Sequence, residues 1–121
     1  MKVVERGWPA HFCCAYDCLF RRNTLISHKG KSVIVSTVGM FLPDNKQKPT
    51  VLGSSENSYY ETYIFGTYLS ELGYVEADVG NHIDSWYHCY PLETDQLSNI
   101  INDAHDQTVK EYKNKLKEKT S

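Results

Sequence analysis

Residues Leu19–Phe41, LFRRNTLISHKGKSVIVSTVGMF, decide how the rest of the chain is read. From Ser32 to Phe41 valine and isoleucine fall on both alternating faces, the pattern of a strand covered on both sides and therefore central in a sheet. Leu19 to His28 reads as a second strand. Lys29-Gly30-Lys31 between them is a hairpin turn that makes the two antiparallel. Gly39 inside the central strand marks a bulge or a close approach of backbone.

Upstream, Lys2 to Glu5 is a short strand ended by the turn signal Arg6-Gly7-Trp8-Pro9. His11 to Tyr16 reads as a further strand, with Phe12 and Cys14 on one face and His11 and Cys13 on the other. Downstream, Leu42 to Asn57 is a polar loop longer than ordinary connections. Ser58 to Tyr68 is a strand with Tyr59, Tyr63 and Phe65 on one face and Tyr60 and Tyr68 on the other, which requires cover on both sides. Tyr74 to Val79 is expected as the last strand, before Gly80-Asn81. His82 to Leu92 has no clear period, although Trp86 and Tyr87 make it a segment that packs.

From Thr94 the period changes. Leu97, Ile100, Ile101, Ala104, Thr108, Tyr112 and Leu116 fall on one helical face, with Thr94 as the expected N-cap and lysines crowding the far end. At 1.5 Å per residue such a helix is about 37 Å long, and its Tyr112–Leu116 end is expected to overhang onto a neighbouring chain. The expectation is one domain, 1–121, with a sheet region over 1–80 and an aromatic segment and helix over 81–121. Its fold class is α+β: a twisted antiparallel β-sheet of about five strands with a long C-terminal helix.

Composition narrows the function. Of 121 residues, 40% are hydrophobic and 23% charged, as in ordinary globular domains. No apolar run reaches the roughly eighteen residues a membrane helix needs. The opening MKVVERGW has no apolar signal core, so a cytoplasmic protein with reduced cysteines is expected. The net charge is −2, with five lysines and two glutamates leaving residues 110–121 at +3. A broad basic surface for long nucleic acid is therefore not expected. The cysteines are Cys13, Cys14, Cys18 and Cys89. A metal site drawn from His11, Cys13, Cys18 and His88 or Cys89 is disfavoured, because adjacent cysteines in a strand point to opposite faces.

Catalytic constellations are weak. Asp17, Glu61, Glu76 and Asp78 could supply a carboxylate pair, and Cys13 or Cys14 could pair with His82 or His88, but no local motif joins either set. No catalytic residue, metal or cofactor is assigned. Binding chemistry is richer. Glu5–Ile26, ERGWPAHFCCAYDCLFRRNTLI, concentrates four aromatics and the pair Arg21-Arg22 followed by Asn23-Thr24. Trp8, Phe20, Tyr59, Tyr60, Tyr63 and Trp86 offer stacking surfaces, and Arg21, Arg22, Asn23 and Thr24 offer donors for phosphate or ribose. Asp78 and Asn81 could take a ribose hydroxyl or a base edge. Strand alternation lets only one of the two arginines face a given pocket. Core or interface packing is the competing reading for about half of the tyrosines.

The blocks ERGWPAHFCCAYDCLFRRNTLI, VIVSTVG (33–39), YYET (59–62) and EADV (76–79) resemble a family of small phage proteins, the first-described Thoeris anti-defence sponge family. The likeness covers roughly the first two thirds of the chain; the opening block is specific and the shorter pieces are weak alone. The resemblance implies a non-catalytic sponge in the host cytoplasm. Such a protein sequesters cyclic ADP-ribose isomers made by bacterial TIR-domain enzymes and so blocks that antiviral defence. It also implies an antiparallel sheet with C-terminal helices and homodimers to homohexamers with ligand pockets between subunits. For some members it implies separate sites for cyclic trinucleotides. The competing classes are a small nucleotide hydrolase and a protein-binding inhibitor of a host factor.

Overall fold

A computed structural model describes residues 1–6, 18–41, 57–91 and 94–120. Five strands, β1 (Lys2–Glu5), β2 (Cys18–His28), β3 (Lys31–Phe41), β4 (Asn57–Leu69) and β5 (Val75–Pro91), precede one helix, α1 (Leu97–Thr120). The strands form one open antiparallel sheet in the order β1-β2-β3-β4-β5, so β3 is central and the fold is α+β. No described helix is long and apolar enough to cross a membrane. The expected strand over His11 to Tyr16 and nearly all of the loop from Leu42 lie outside the described residues.

The β2–β3 turn works as its sequence demands. His28 and Lys31 are the last pair, and Lys29 and Gly30 between them both take positive φ, at 49° and 79°. Two such residues give the loop twist that matches the twist of the strands. Gly39 serves close approach. In register it separates Phe20 from Tyr60, whose rings meet edge to face at 5.7 Å with no side chain between them.

β5 corrects the expected end of the sheet. It does not stop at Val79 but runs for 17 residues, and the unassigned aromatic segment pairs with β4 from Asn57 to Phe65. Gly80-Asn81 is no turn between elements. It belongs to a bulge, because Phe65 pairs with His82 while Gly66 pairs with Asp78, leaving three residues of β5 unopposed. The bulge explains Gly66: a Cβ there would sit 2.5 Å from Asn81 Nδ2.

The helix begins later than expected. Gln96, at φ 52°, accepts from the amides of Asn99 and Ile100 through its carbonyl, so Gln96 rather than Thr94 closes the first turn. Leu97, Ile101, His105, Thr108, Tyr112 and Leu116 form its buried face, and Ile100 is exposed. The expected overhang is also corrected. Tyr112 and Leu116 pack on Ile26, Val33, Val35 and Ile64 of their own sheet, with Trp86 and Val109 at the margin. An 11-residue strand is about 37 Å long and a 24-residue helix about 36 Å, and the helix is buried on the sheet from Leu97 to Leu116.

A second apolar cluster, Phe20, Tyr60, Leu97 and Ile101, lies at the other end of the helix. The opposite face of the sheet is buried at Asn23, Ile34, Ser36, Val38 and Phe65. In a flat sheet β1 and β5 would stand about 19 Å apart, four strand spacings. Yet Arg6 Nη1 donates to the Val75 carbonyl at 2.6 Å. The β4–β5 hairpin therefore curls back over the face opposite the helix until its tip meets the end of β1.

Candidate functional site

Alternation along β2 splits the expected site in two. Phe20, Arg22 and Thr24 face the helix, and Arg21 and Asn23 face the other side.

On the helix side Arg22 uses four of its five N–H donors. Its Nε and Nη2 donate to Glu5 Oε1 and Oε2 at 3.1 and 3.0 Å, and its Nη1 donates to Asp106 Oδ1 at 2.8 Å and Asn102 Oδ1 at 3.3 Å. Burial pushes the Glu5 carboxyl up, but hydrogen bonds from Arg22 and Thr24 and the Arg22 charge outweigh it and hold the group below its usual range. Between the two apolar clusters lies a polar layer. Thr24 Oγ1 donates to Glu5 Oε2 at 2.7 Å and lies 2.8 Å from His105 Nε2. His105 Nδ1 lies 2.7 Å from Thr37 Oγ1, which lies 2.9 Å from Thr62 Oγ1.

One arrangement of hydrogens satisfies this layer. The single Thr24 proton goes to the carboxylate, so Thr24 must accept from His105 Nε2–H. Burial, reinforced by the nearby Arg22 charge and opposed by Glu5 and Asp106, pushes the His105 pKa down to about 4, so the ring is neutral at pH 7. Nδ1 then accepts from Thr37, and Thr37 from Thr62. The chain runs one way, Thr62 to Thr37 to His105 to Thr24 to Glu5. His105 and Thr37 are 0% exposed, so this imidazole beside hydroxyls has no room for a substrate and acts as a clamp between sheet and helix.

The other expected residues on this side are also internal. Phe20 and Tyr60 belong to the apolar cluster, and burial pushes the Tyr60 hydroxyl up to about 12. Trp86 is half-buried against the core. Phe20 and Tyr60 offer no free ring face for stacking.

On the opposite face, Arg21 is exposed and Asn23 is buried to 1%. Among the described residues, Asn23 Oδ1 and the Tyr60 hydroxyl are the buried side-chain atoms without a hydrogen-bond partner. Register carries Arg21 through Val38 and Glu61 to Tyr87, and Asn23 through Ser36 and Tyr63 to Ser85. Tyr63 gathers an aromatic group: its ring centroid lies 5.7 Å from Phe65, 5.5 Å from His82 and 6.3 Å from Tyr87. The Tyr63 and Tyr87 hydroxyls are 3.0 Å apart, and that bond, with burial and the Glu61 charge, pushes Tyr63 up to about 12. Asp78 borders the β5 bulge, half-buried, and Asn81 lies within it, exposed. Tyr59 pairs with Cys89 through its backbone; its side chain, like Trp8, lies outside the described residues.

Sequence reasoning missed Glu5, His105 and Asp106. His105 was detectable, since it stands four residues after Ile101 and seven before Tyr112, in phase with the buried stripe. No family model, no curated protein and no solved structure matches the chain.

Proposed function

We propose that the protein is a non-catalytic sponge that binds a cyclic ADP-ribose-type nucleotide on the sheet face opposite the helix, in the cytoplasm of a phage-infected cell. The observation that carries this reading is the unequal fate of two adjacent arginines. Arg22 is consumed by Glu5 and Asp106, whereas Arg21 is exposed beside a buried Asn23 whose side-chain oxygen has no hydrogen-bond partner. A guanidinium fork suits the pyrophosphate of such a ligand. The Asn23 oxygen is buried, so it would accept from an adenine amino group or a ribose hydroxyl only where the bound ligand opens that face. Tyr63, about 10 Å from Asn23 across two strand spacings, puts an aromatic group on the same face. Binding through a fork, an acceptor and a ring needs no nucleophile.

Self-association, from homodimer to homohexamer, belongs to the same proposal. What supports it is the exposure of Val79, Ile83 and Tyr87 along the edge strand β5, not the helix end. Cyclic trinucleotides at separate sites remain part of the reading by resemblance alone.

Mass spectrometry of small molecules released by heating the protein, purified from cells that make TIR-derived signals, tests this. An intact cyclic ADP-ribose isomer is expected. Only a linear product, or no nucleotide at all, would overturn the sponge reading.

A further inference from the structure

The curled hairpin creates a cleft that the expected site did not include. Lys2, Val4 and Arg6 alternate onto the face opposite the helix, while Glu5 between them turns to Arg22 and Thr24. Leu25 completes the floor, and Gly73, Tyr74 and Val75 of the hairpin tip form the wall around about 370 Å³. That volume is at the low end for small-molecule pockets and suits one nucleoside half of a dinucleotide.

Three observations give the cleft a chemistry. Its two cationic side chains flank an apolar floor, and the Glu5 carboxylate at its border is already neutralised by a bidentate guanidinium. Tyr74 is 62% exposed on a wall that is fixed in place. Ser70 N donates to the Tyr74 carbonyl at 2.8 Å, Gly73 N to the Ser70 carbonyl at 2.9 Å and Tyr74 N to Ser70 Oγ at 3.1 Å, and Arg6 ties the adjoining Val75 to β1. Finally, register sets one end of the cleft beside the Arg21–Asn23 strip. The Arg6 amide donates to the Asn23 carbonyl at 2.8 Å, which places Arg6 opposite Asn23 and diagonal to Arg21.

We propose that this cleft holds the ring-bearing half of a phosphorylated nucleoside, with Tyr74 as the stacking face and Lys2 as a phosphate-side cation. The inference rests on the nucleotide reading above and extends it to residues outside the arginine-rich strand. The hairpin tip thereby becomes a preformed clamp, whose order is in place before the ligand arrives.

Calorimetry with cyclic ADP-ribose on Tyr74→Ala, Lys2→Gln, Arg21→Ala and Leu72→Ala separates the claims. Leu72 is exposed on the same tip and does not line the cleft. Tyr74→Ala is expected to weaken binding about tenfold or more, as loss of a base–aromatic stack does, and Lys2→Gln about threefold. Leu72→Ala should bind like wild type, and all four should keep the wild-type unfolding midpoint. If Tyr74→Ala and Lys2→Gln bind like wild type while Arg21→Ala is weakened, the cleft proposal falls and the nucleotide reading stands. If the wild type does not bind cyclic ADP-ribose, amide shifts on titration with adenosine diphosphate decide. Shifts at Gly73–Val75 uphold the cleft and sink the cyclic-nucleotide reading; no shifts there sink both.

Discussion

Arg22 and Glu5 meet as a two-pronged pair, with Nε on Oε1 at 3.1 Å and Nη2 on Oε2 at 3.0 Å, and the remaining arm of Arg22 crosses to Asp106 on the helix at 2.8 Å. One guanidinium thus joins the edge strand β1, β2 and α1. Its neighbour in sequence, Arg21, points the other way.

The two arginines should therefore separate stability from binding. Arg22→Ala leaves two carboxylates without their shared cation. Because Glu5 and Asp106 are half-exposed or more, solvent recovers part of the loss, and a cost of about 1–2 kcal/mol is expected in urea unfolding. Arg21→Ala should change stability by less than about 0.5 kcal/mol. It should weaken nucleotide binding roughly tenfold to a hundredfold, with poor rescue by lysine, which lacks the fork. Equal unfolding midpoints for the two variants would contradict the structural role given to Arg22.

Acid should loosen the fold through His105. Its pKa is about 4 in the folded state against 6.5 for an ordinary histidine, so between those values the unfolded chain binds more protons. Stability is therefore complete above about pH 6.5, falls as the pH drops and levels off near 4, with a loss of at most about 3 kcal/mol. The charged groups around the ring are Glu5 from β1, Arg22 from β2 and Asp106 from α1. Glu5, held below its usual range, pulls in the same direction at lower pH, its stabilisation being lost as the pH falls through its folded pKa. An NMR titration placing His105 at an ordinary value, or an unchanged pH slope in His105→Gln, would refute this account.

The β2–β3 hairpin was legible because β-branched residues on both faces admit only a central strand, and because Lys29-Gly30 carries the positive φ that its turn needs. The second half of β5 was hidden because Gly80-Asn81 has the composition of a turn. Only the partner strand, through Gly66, reveals it as a bulge. The division of Arg21 from Arg22 was legible, but not its direction. Direction depends on Glu5, 17 residues away, and Asp106, 84 residues away, and no local pattern encodes contacts at such separations. For the same reason Phe20 and Tyr60 read as stacking surfaces. An aromatic residue on a strand looks alike whether a helix or a ligand covers it.

Leu116 tests whether the helix end belongs to its own sheet. It packs with Tyr112 against Ile26, Val33, Val35 and Ile64 and is 5% exposed. Leu116→Ala should cost about 2–4 kcal/mol through lost burial and the cavity left behind. That cost should not vary with protein concentration. A loss that vanishes on tenfold dilution would point to a contact between chains instead.

The one-way chain of hydroxyls makes an ordered prediction. Thr62 stands at its start and only donates, so Thr62→Val leaves Thr37 short of one incoming bond while Thr37 still donates to His105. A hydroxyl oxygen missing one of its acceptor bonds is cheap, and the cost should be below about 1 kcal/mol. Thr37→Val instead leaves a buried imidazole nitrogen with no donor and orphans the Thr62 proton. Thr24→Val leaves the His105 N–H with no acceptor and removes a bond to the Glu5 carboxylate. Each of these should cost about 1–3 kcal/mol, although valine has nearly the shape of threonine. The double variant Thr37→Val/Thr62→Val should be no less stable than Thr37→Val alone, since replacing Thr62 then removes an orphaned donor from the core. Nitrogen shifts of His105 should report the Nε2–H tautomer in the wild type. A larger penalty for Thr62→Val than for Thr37→Val, or the Nδ1–H tautomer, would reverse the direction of the chain and sink this assignment.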